Sequence, residues 1–204
     1  MGRRKTRPAK KKDPIIQVNS RSHANSLLIC GSFFKSLVTR PLKDSVRESI
    51  FNILQHSKFV KIKINDANIL DLYSGIGSFG IESISRNAKK VTFIEKDISA
   101  INVLKENLNK LSIVDKSKIY NNNVEEILNR NLNDKFNIFF LDPPFADLNY
   151  IQNLKLIKKH NYFSVNHIIV IHRERKSKEE LKNILETIET KYYGRSKIIF
   201  GKFN

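Results

Sequence analysis

Residues 69–80 read ILDLYSGIGSFG, and this stretch decides the fold. A short apolar run, typical of a buried strand, leads into a loop that contains Gly75, Gly77 and Gly80 and then opens a helical pattern. An acid, Glu95, ends the next apolar run. Glycines at such a turn let the backbone approach a ligand closely, and an acid in this position accepts hydrogen bonds from ribose hydroxyls. The stretch therefore predicts a site for a cofactor that contains adenosine.

Apolar runs and helical patterns alternate downstream of this loop. We predict strands over residues 69–73, 91–95, 118–120, 136–141 and 168–171, with a final strand suited to residues 198–203. We predict helices over residues 79–86, 98–111, 124–128, 150–158 and 178–189. This alternation is typical of an α/β fold with a parallel, doubly wound sheet.

The chain before this region divides into two parts. Residues 1–26 lack apolar periodicity and are rich in Lys and Arg, which predicts a disordered basic arm. Residues 27–66 are expected to form a small extension: a β-hairpin around Gly31 within residues 26–38, then a helix that begins at Asp44 or Ser45. Ser45 and Glu48 have the spacing of a capping box. Residues 67–204 would then be the main domain.

Composition restricts the partners of the chain. Its 204 residues carry 37 Lys and Arg against 20 Asp and Glu, a formal charge of +17 that favours a polyanion such as nucleic acid. In the arm, we expect phosphate contacts from Arg3, Arg4, Lys10, Lys11 and Lys12. The sequence has no apolar run of membrane length, no metal-binding motif and a single cysteine. We therefore expect a cytoplasmic protein without metal, and a monomer.

The residue that decides between cofactor classes is Asp71. A carboxylate at the mouth of the loop would repel the pyrophosphate of a dinucleotide, but it attracts the ammonium and sulfonium charges of S-adenosylmethionine. The predicted cofactor-binding residues are Asp71, Tyr73, the three glycines and Glu95, and Asn123 is the candidate for the adenine edge after the third strand.

A second loop, Asp142-Pro143-Pro144-Phe145, follows the fourth predicted strand. There the Asp142 carboxylate and the Pro143 carbonyl are placed to accept hydrogen bonds from an exocyclic amine, whose lone pair is otherwise delocalised into its ring. Phe145 is suited to stack on the base. We predict methyl transfer to such an amine, with Asp142 as hydrogen-bond acceptor whether or not it takes the proton. No histidine has the spacing of a ligand or a triad, so none receives a role.

Three blocks of the sequence carry a resemblance to a known family. They are Arg40-Pro41 with Asp44, Arg47, Glu48, Phe51 and Asn52; residues 71–80 continuing through Glu82, Ser85 and Arg86 to Glu95; and residues 142–145. These blocks resemble the RsmD-like family of 16S ribosomal RNA guanine-N2 methyltransferases, over about Leu28 to His172.

The resemblance implies a Rossmann-like class I methyltransferase sheet, with ribosomal RNA or the small ribosomal subunit as partner. It also implies that Arg40 and Arg47 lie near the active site and help to hold cofactor or RNA. The sequence departs from the family in its longer basic arm, in a shorter link before Arg40, and at residues 172–175, where members commonly have a more acidic strand end.

Four other functions remain open from the residues. An amino-methyltransferase that acts on another RNA base or on a DNA base would use the same loop, but the DNA enzymes usually need a longer target-recognition segment. Glutamine methylation more often goes with Asn at the first loop position. A noncatalytic RNA-binding assembly factor would lose the carboxylates that are present here. A dinucleotide oxidoreductase leaves the second loop without a role.

Overall fold

The computed structural model of the chain describes residues 15–18, 26–29, 42–60, 62–130 and 132–204. Its strands are β1 (Ile15–Val18), β2 (Ser26–Ile29), β3 (Asn68–Leu72), β4 (Lys90–Glu95), β5 (Ser117–Asn121), β6 (Phe136–Leu141), β7 (Phe163–Glu174), β8 (Leu185–Tyr193) and β9 (Ser196–Phe203). Its helices are α1 (Asp44–His56), α2 (Ser78–Ser85), α3 (Ile98–Lys110), α4 (Val124–Asn129) and α5 (Tyr150–Lys159).

Seven strands form one mixed sheet in the order β5-β4-β3-β6-β7-β9-β8. The strands from β5 to β7 are parallel, whereas β9 pairs antiparallel with both β7 and β8. β3 lies between β4 and β6, so the strand order reverses at β3. Ligands of open α/β sheets bind at the carboxyl ends of the strands at such a reversal. The fold places the loops after β3, β4 and β6 there.

Alternating side chains of the parallel strands form two buried apolar clusters, one on each face of the sheet. Ile69 and Phe93 belong to the cluster that includes α1, α2 and α3, whereas Leu70 and Ile94 belong to the cluster that includes α4 and α5. Because strands buried on both faces need apolar residues at every position, they appear in the sequence as continuous apolar runs. This explains why β3, β4, β6 and the buried part of β7 were predictable.

The predicted helix over residues 178–189 is wrong. Its second half is β8, and residues 178–184 are not helical. Leu181, Ile184 and Leu185 are buried, and their spacing imitates one face of a helix. Pairing of β8 with β9 outweighs that local pattern. Because β9 is antiparallel to both β7 and β8, the sheet is mixed rather than parallel throughout.

The structure also corrects the amino-terminal predictions. Ile15–Val18, within the supposed disordered arm, is a strand that pairs antiparallel with β2, which follows it in the chain. Residues 30–41, with the predicted turn and second strand, lie outside the described residues. At α1 the cap residue is Lys43, which makes no side-chain capping bond, so the expected capping box does not form.

α1 is part of the main core rather than a separate extension. Ile50 and Phe51 are fully buried, and the Phe51 ring stacks on Phe79 of α2 with 5.0 Å between ring centroids. Phe79 stacks in turn on Phe140 of β6 at 4.0 Å. Stacked aromatic rings contribute beyond their area burial, so they join α1 firmly to the sheet. Within the described part of the chain, no helix has the length and apolarity that crossing a membrane requires.

Candidate active site

Three carboxylates meet at the edge of the sheet where the strand order reverses. Asp71 lies in β3, Glu95 ends β4, and Asp142 directly follows β6. The charges of Asp142 and Glu95 both act on Asp71, and the backbone N–H of Asp142 donates to the Leu72 carbonyl at 3.4 Å. The structure therefore brings the glycine loop and the Asp-Pro-Pro-Phe loop together, as their neighbouring strands predicted.

Asp71 is buried beneath the glycine loop. It is 1% exposed, and its Oδ2 accepts the Gly80 N–H at 3.0 Å, while its Oδ1 has no partner among the described residues. Burial raises the pKa of Asp71 well above its ordinary value of 3.8; the Gly80 hydrogen bond lowers this pKa, and the charges of Asp142 and Glu95 raise it further. A buried carboxylate with an unpaired oxygen is suited to a cationic ligand.

Two of the three glycines allow close packing, and the third leaves open space. A side chain at Gly80 would meet the Phe93 ring at 2.2 Å, and one at Gly77 would meet Leu104 at 2.3 Å, so both allow α2 to pack against its neighbours. Gly75 has φ +53° and open space where a side chain would project. Only glycine adopts this conformation readily. Gly75 is thus the glycine that leaves room for a ligand.

Glu95 fastens the glycine loop to the end of β4. Its Oε2 accepts the Gly75 N–H at 2.9 Å, and its Oε1 accepts the N–H groups of Lys96 and Asp97, both at 2.9 Å. A carboxylate has about four acceptor positions. These bonds occupy three of them, so Glu95 retains capacity for a hydroxyl donor.

For Tyr73 and Asn123, a role in cofactor binding stays a prediction. Tyr73 has a left-handed φ of 59°, and its hydroxyl accepts a hydrogen bond from Asn153 of α5 at 2.7 Å. Asn123 is exposed and occupies the cap position of α4 without a side-chain capping bond. Sequence reasoning did not select Ser74, whose buried hydroxyl has no partner among the described residues.

The Asp-Pro-Pro-Phe loop presents acceptors and an aromatic ring at the same edge. The Asp142 side chain is 22% exposed, and the Phe145 ring is 44% exposed despite its size. Within the described residues, no donor reaches the Pro143 carbonyl. The loop can therefore offer a carboxylate oxygen, a carbonyl and a ring face to a planar ligand.

Arg173 of β7 holds this loop, and sequence reasoning missed it. It is 1% exposed; its Nη1 donates to the Pro144 carbonyl at 3.1 Å and its Nη2 to the Phe145 carbonyl at 2.7 Å. Its guanidinium also lies over the Tyr150 ring at 4.6 Å. Bonds from a buried cation are strong. Arg173 thus donates to the carbonyls of Pro144 and Phe145, whereas the Pro143 carbonyl has no donor among the described residues.

His172 also lies at the site, although sequence reasoning assigned no histidine a role. Its Nδ1 lies 2.7 Å from Asp142 Oδ1, and its ring makes an edge contact with Phe145 at 5.5 Å between centroids. The two residues are 30 positions apart in the sequence, so no local spacing could indicate the pair. Only the parallel pairing of β6 with β7 brings them together.

The assignment of Arg47 to RNA binding needs correction. Arg47 is 2% exposed; its Nε lies 2.6 Å from Glu82 Oε2, and its Nη2 lies 2.9 Å from Asp44 Oδ1. Glu82 is equally buried and also pairs with Arg86 at 2.6 Å. A guanidinium enclosed in this way joins α1 to α2 and is not presented to an RNA surface. Outside the described residues lie Arg40, Arg3, Arg4, Lys10, Lys11 and Lys12.

The residues present fit S-adenosylmethionine. The unpaired Asp71 oxygen suits its ammonium group, the spare acceptor capacity of Glu95 suits its ribose, and the open space over Gly75 suits close approach of the ligand to the backbone. In the part of the chain that the structure describes, no cluster of three or more His, Cys, Asp or Glu residues is suited to a metal ion.

The sequence is similar to known methyltransferases. The family described as "Conserved hypothetical protein 95" matches residues 32–202. "Ribosomal RNA small subunit methyltransferase D" of Buchnera aphidicola subsp. Baizongia pistaciae is 35% identical over 167 residues, which are 81% of this chain and 80% of that protein. The protein of the same name from Haemophilus influenzae is 35% identical over 138 residues, 67% of this chain and 68% of its own.

Solved structures share the fold. A putative methylase of Haemophilus influenzae superposes with a TM-score of 0.72 at 26% identity, over 94% of this chain and 100% of that one. A putative methyltransferase of Escherichia coli gives a TM-score of 0.78 at 24% identity, over 94% of this chain and 99% of that one. The predicted class I methyltransferase fold is confirmed. The chain belongs to the Conserved hypothetical protein 95 family, the RsmD-like family that its sequence resembles.

Proposed function

We propose that this protein transfers a methyl group from S-adenosylmethionine to the exocyclic N2 amine of a guanine in small-subunit ribosomal RNA. The observation that carries the proposal is the position of the Asp142 carboxylate and the Pro143 carbonyl beside the glycine loop, with acceptor capacity that the protein itself leaves unused. The names of the relatives support the ribosomal RNA substrate.

The acceptor amine is prepared by the Asp-Pro-Pro-Phe loop. Two hydrogen-bond acceptors in fixed positions orient the amino group and favour localisation of its lone pair on nitrogen. Asp142 Oδ2 and the Pro143 carbonyl are these acceptors, since Asp142 Oδ1 is occupied by His172. The exposed Phe145 ring stacks on the base. A base in a duplex cannot reach such an edge, so the target is flipped out or lies in a loop.

Binding of the methyl donor falls to the glycine loop and its two acids. S-adenosylmethionine, when bound, supplies an electrophilic methyl group on a sulfonium. Asp71 attracts its positive charges, Glu95 accepts from the ribose, and Gly75 lets the backbone approach. Tyr73 and Asn123 complete the proposed pocket, with Asn123 at the adenine edge.

The partner is ribosomal RNA or the small subunit, which the formal charge of +17 favours. This substrate implies action in the cytoplasm. We propose a monomer that needs no metal, because methyl transfer from a sulfonium to a positioned amine requires no Lewis acid.

The test compares transfer with cofactor binding in Asp142→Ala. Label transfer from S-adenosylmethionine to unmodified small ribosomal subunits is expected to fall by at least about 100-fold, while the calorimetric Kd for the cofactor changes only a few-fold. The control is Asp115→Ala. It changes an exposed acid that precedes β5, at the amino ends of the parallel strands and away from the site. Equal loss of transfer and of cofactor affinity in Asp142→Ala would mean that Asp142 is structural.

A further inference from the structure

Asp142 is the first member of a chain of three side chains from three neighbouring strands. His172 Nδ1 lies 2.7 Å from Asp142 Oδ1, and His172 Nε2 lies 2.8 Å from the Ser196 hydroxyl. Asp142 follows β6, His172 lies in β7, and Ser196 begins β9. The His172 side chain is 7% exposed and that of Asp142 is 22% exposed. The carboxylate is therefore open to a ligand while the imidazole is enclosed behind it.

The hydrogen bond with Asp142 defines the tautomer of a neutral imidazole. An ionised carboxylate only accepts, so Nδ1 carries the proton and donates it to Asp142. Nε2 of that tautomer is an acceptor, and the Ser196 hydroxyl is placed to donate to it. Ser196 thereby holds the far side of the ring, while Asp142 fixes the tautomer.

We propose that His172 is a positioning residue for the methyl acceptor: it fixes the rotation of the Asp142 carboxylate so that Oδ2 faces the exocyclic amine, with Ser196 holding the far side of the imidazole ring. This inference rests on the proposed function. The torsion that rotates an Asp carboxylate is broad, and one strong hydrogen bond from an enclosed donor restricts it. The ring contact with Phe145 lets the same imidazole support the stacking residue.

Loss of His172 should disturb the position of the methyl acceptor rather than weaken substrate binding. Misplacement of a reacting group by about 1 Å costs roughly 100-fold in rate. His172→Ala is therefore expected to lower kcat by about that factor, with the KM for small ribosomal subunits and the Kd for S-adenosylmethionine nearly unchanged. His172→Asn retains an amide N–H for Asp142 and should recover a large part of the loss. Ser196→Ala should give a smaller decrease, because it removes only the hydrogen bond that holds the far side of the ring.

The experiment measures kcat, KM, cofactor Kd and melting temperature for these variants of the full chain, with unmodified small ribosomal subunits and labelled S-adenosylmethionine. His56→Ala, an exposed histidine at the end of α1, is the matched control and should behave as wild type. Wild-type kcat in His172→Ala would overturn the proposal. So would equal losses in His172→Ala and His172→Asn at unchanged melting temperature.

A second measurement separates this inference from the proposed function. In ¹⁵N-labelled wild-type protein, NMR should detect a protonated Nδ1 and an unprotonated Nε2 for His172, and Asp142→Ala should lose the hydrogen-bonded Nδ1 proton. The hydrogen bond that fixes Asp142 stands on this result even if ribosomal subunits accept no methyl group, which would contradict only the proposed substrate. An unprotonated Nδ1 in wild type would overturn the inference whatever the substrate.

Discussion

At the scale of single residues, three carboxylates of one edge have different surroundings and different tasks. Asp71 is enclosed and keeps one unpaired oxygen, Glu95 is held by backbone N–H groups, and Asp142 is open to solvent on one side. Sequence spacing identified all three, because each lies near the carboxyl end of a strand. The sequence could not assign a role to each carboxylate, because its burial and its hydrogen-bond partners come from segments far away in the chain.

Asp71 should make cofactor binding depend on pH. Burial raises its pKa well above 3.8, so Asp71 keeps its proton to a higher pH than an exposed aspartate does. The affinity for S-adenosylmethionine should therefore increase as pH rises through the raised pKa and Asp71 becomes charged. Asp71→Asn should bind more weakly and lose this dependence. Calorimetric titrations at a series of pH values measure it, and a wild-type affinity that does not vary with pH would contradict it.

The raised pKa of Asp71 also determines how its contribution to stability changes with pH. Because the folded-state pKa is raised, the folded chain holds the proton more tightly than the unfolded chain. The contribution of Asp71 to the free energy of unfolding is therefore largest below pH 3.8 and decreases as pH rises through the raised value.

At the scale of elements, the buried strands and the final strand β9 were predictable, and β8 was not. β6 coincides with its predicted range because Phe136–Leu141 is apolar at nearly every position. In β8, burial alternates irregularly across a register shift between Thr187 and Glu189, so no clear strand pattern appears in the sequence. The strand exists because β9 supplies its partner, and a single sequence does not contain that information locally.

The junction of α1 and α2 should depend on the buried Arg47–Glu82 pair. Removal of one partner from a buried ion pair leaves an uncompensated charge, so Arg47→Ala is expected to lower the free energy of unfolding by about 3 kcal/mol. This is at the low end of such effects because Arg86 still pairs with Glu82. Denaturant unfolding measures it.

Lys110→Ala is the control for this prediction, because it removes the exposed pair with Glu106 at 3.1 Å and should cost less than about 1 kcal/mol. Full stability together with lowered RNA affinity in Arg47→Ala would mean that Arg47 binds RNA and does not join α1 to α2.

At the scale of the whole molecule, the basic arm is expected to add affinity for RNA without specificity. Residues 2–13 contain seven Lys and Arg and one Asp and end before β1, so their removal spares the strand. Deletion should weaken RNA binding and flatten its salt dependence, by about 0.7–0.9 in the logarithmic slope for each lost phosphate contact. Fluorescence anisotropy with an RNA hairpin over a range of salt concentrations measures both. A variant with residues 2–13 in scrambled order should bind as wild type, and a slope unaffected by the deletion would exclude the arm from RNA binding.

The site as a whole was predictable where its residues lie in local motifs. The glycine loop and the Asp-Pro-Pro-Phe loop were found because each ends a recognisable strand. His172, Arg173 and Ser196 were not, because they act across strands from positions 24 to 30 residues away from their partners. Their sequence signal was indirect: residues 172–175 depart from the acidic strand end common in the family, at the position where the structure supports the second loop.

The central claim is methyl transfer to the N2 amine of a guanine, and nucleoside mass spectrometry tests it most directly. Unmodified small ribosomal subunits are incubated with the protein and isotopically labelled S-adenosylmethionine, with Asp142→Ala in parallel, and the RNA is digested to nucleosides. We predict labelled N2-methylguanosine with the wild-type protein and none with Asp142→Ala. Label in a different nucleoside, or label that persists in Asp142→Ala, would contradict the account.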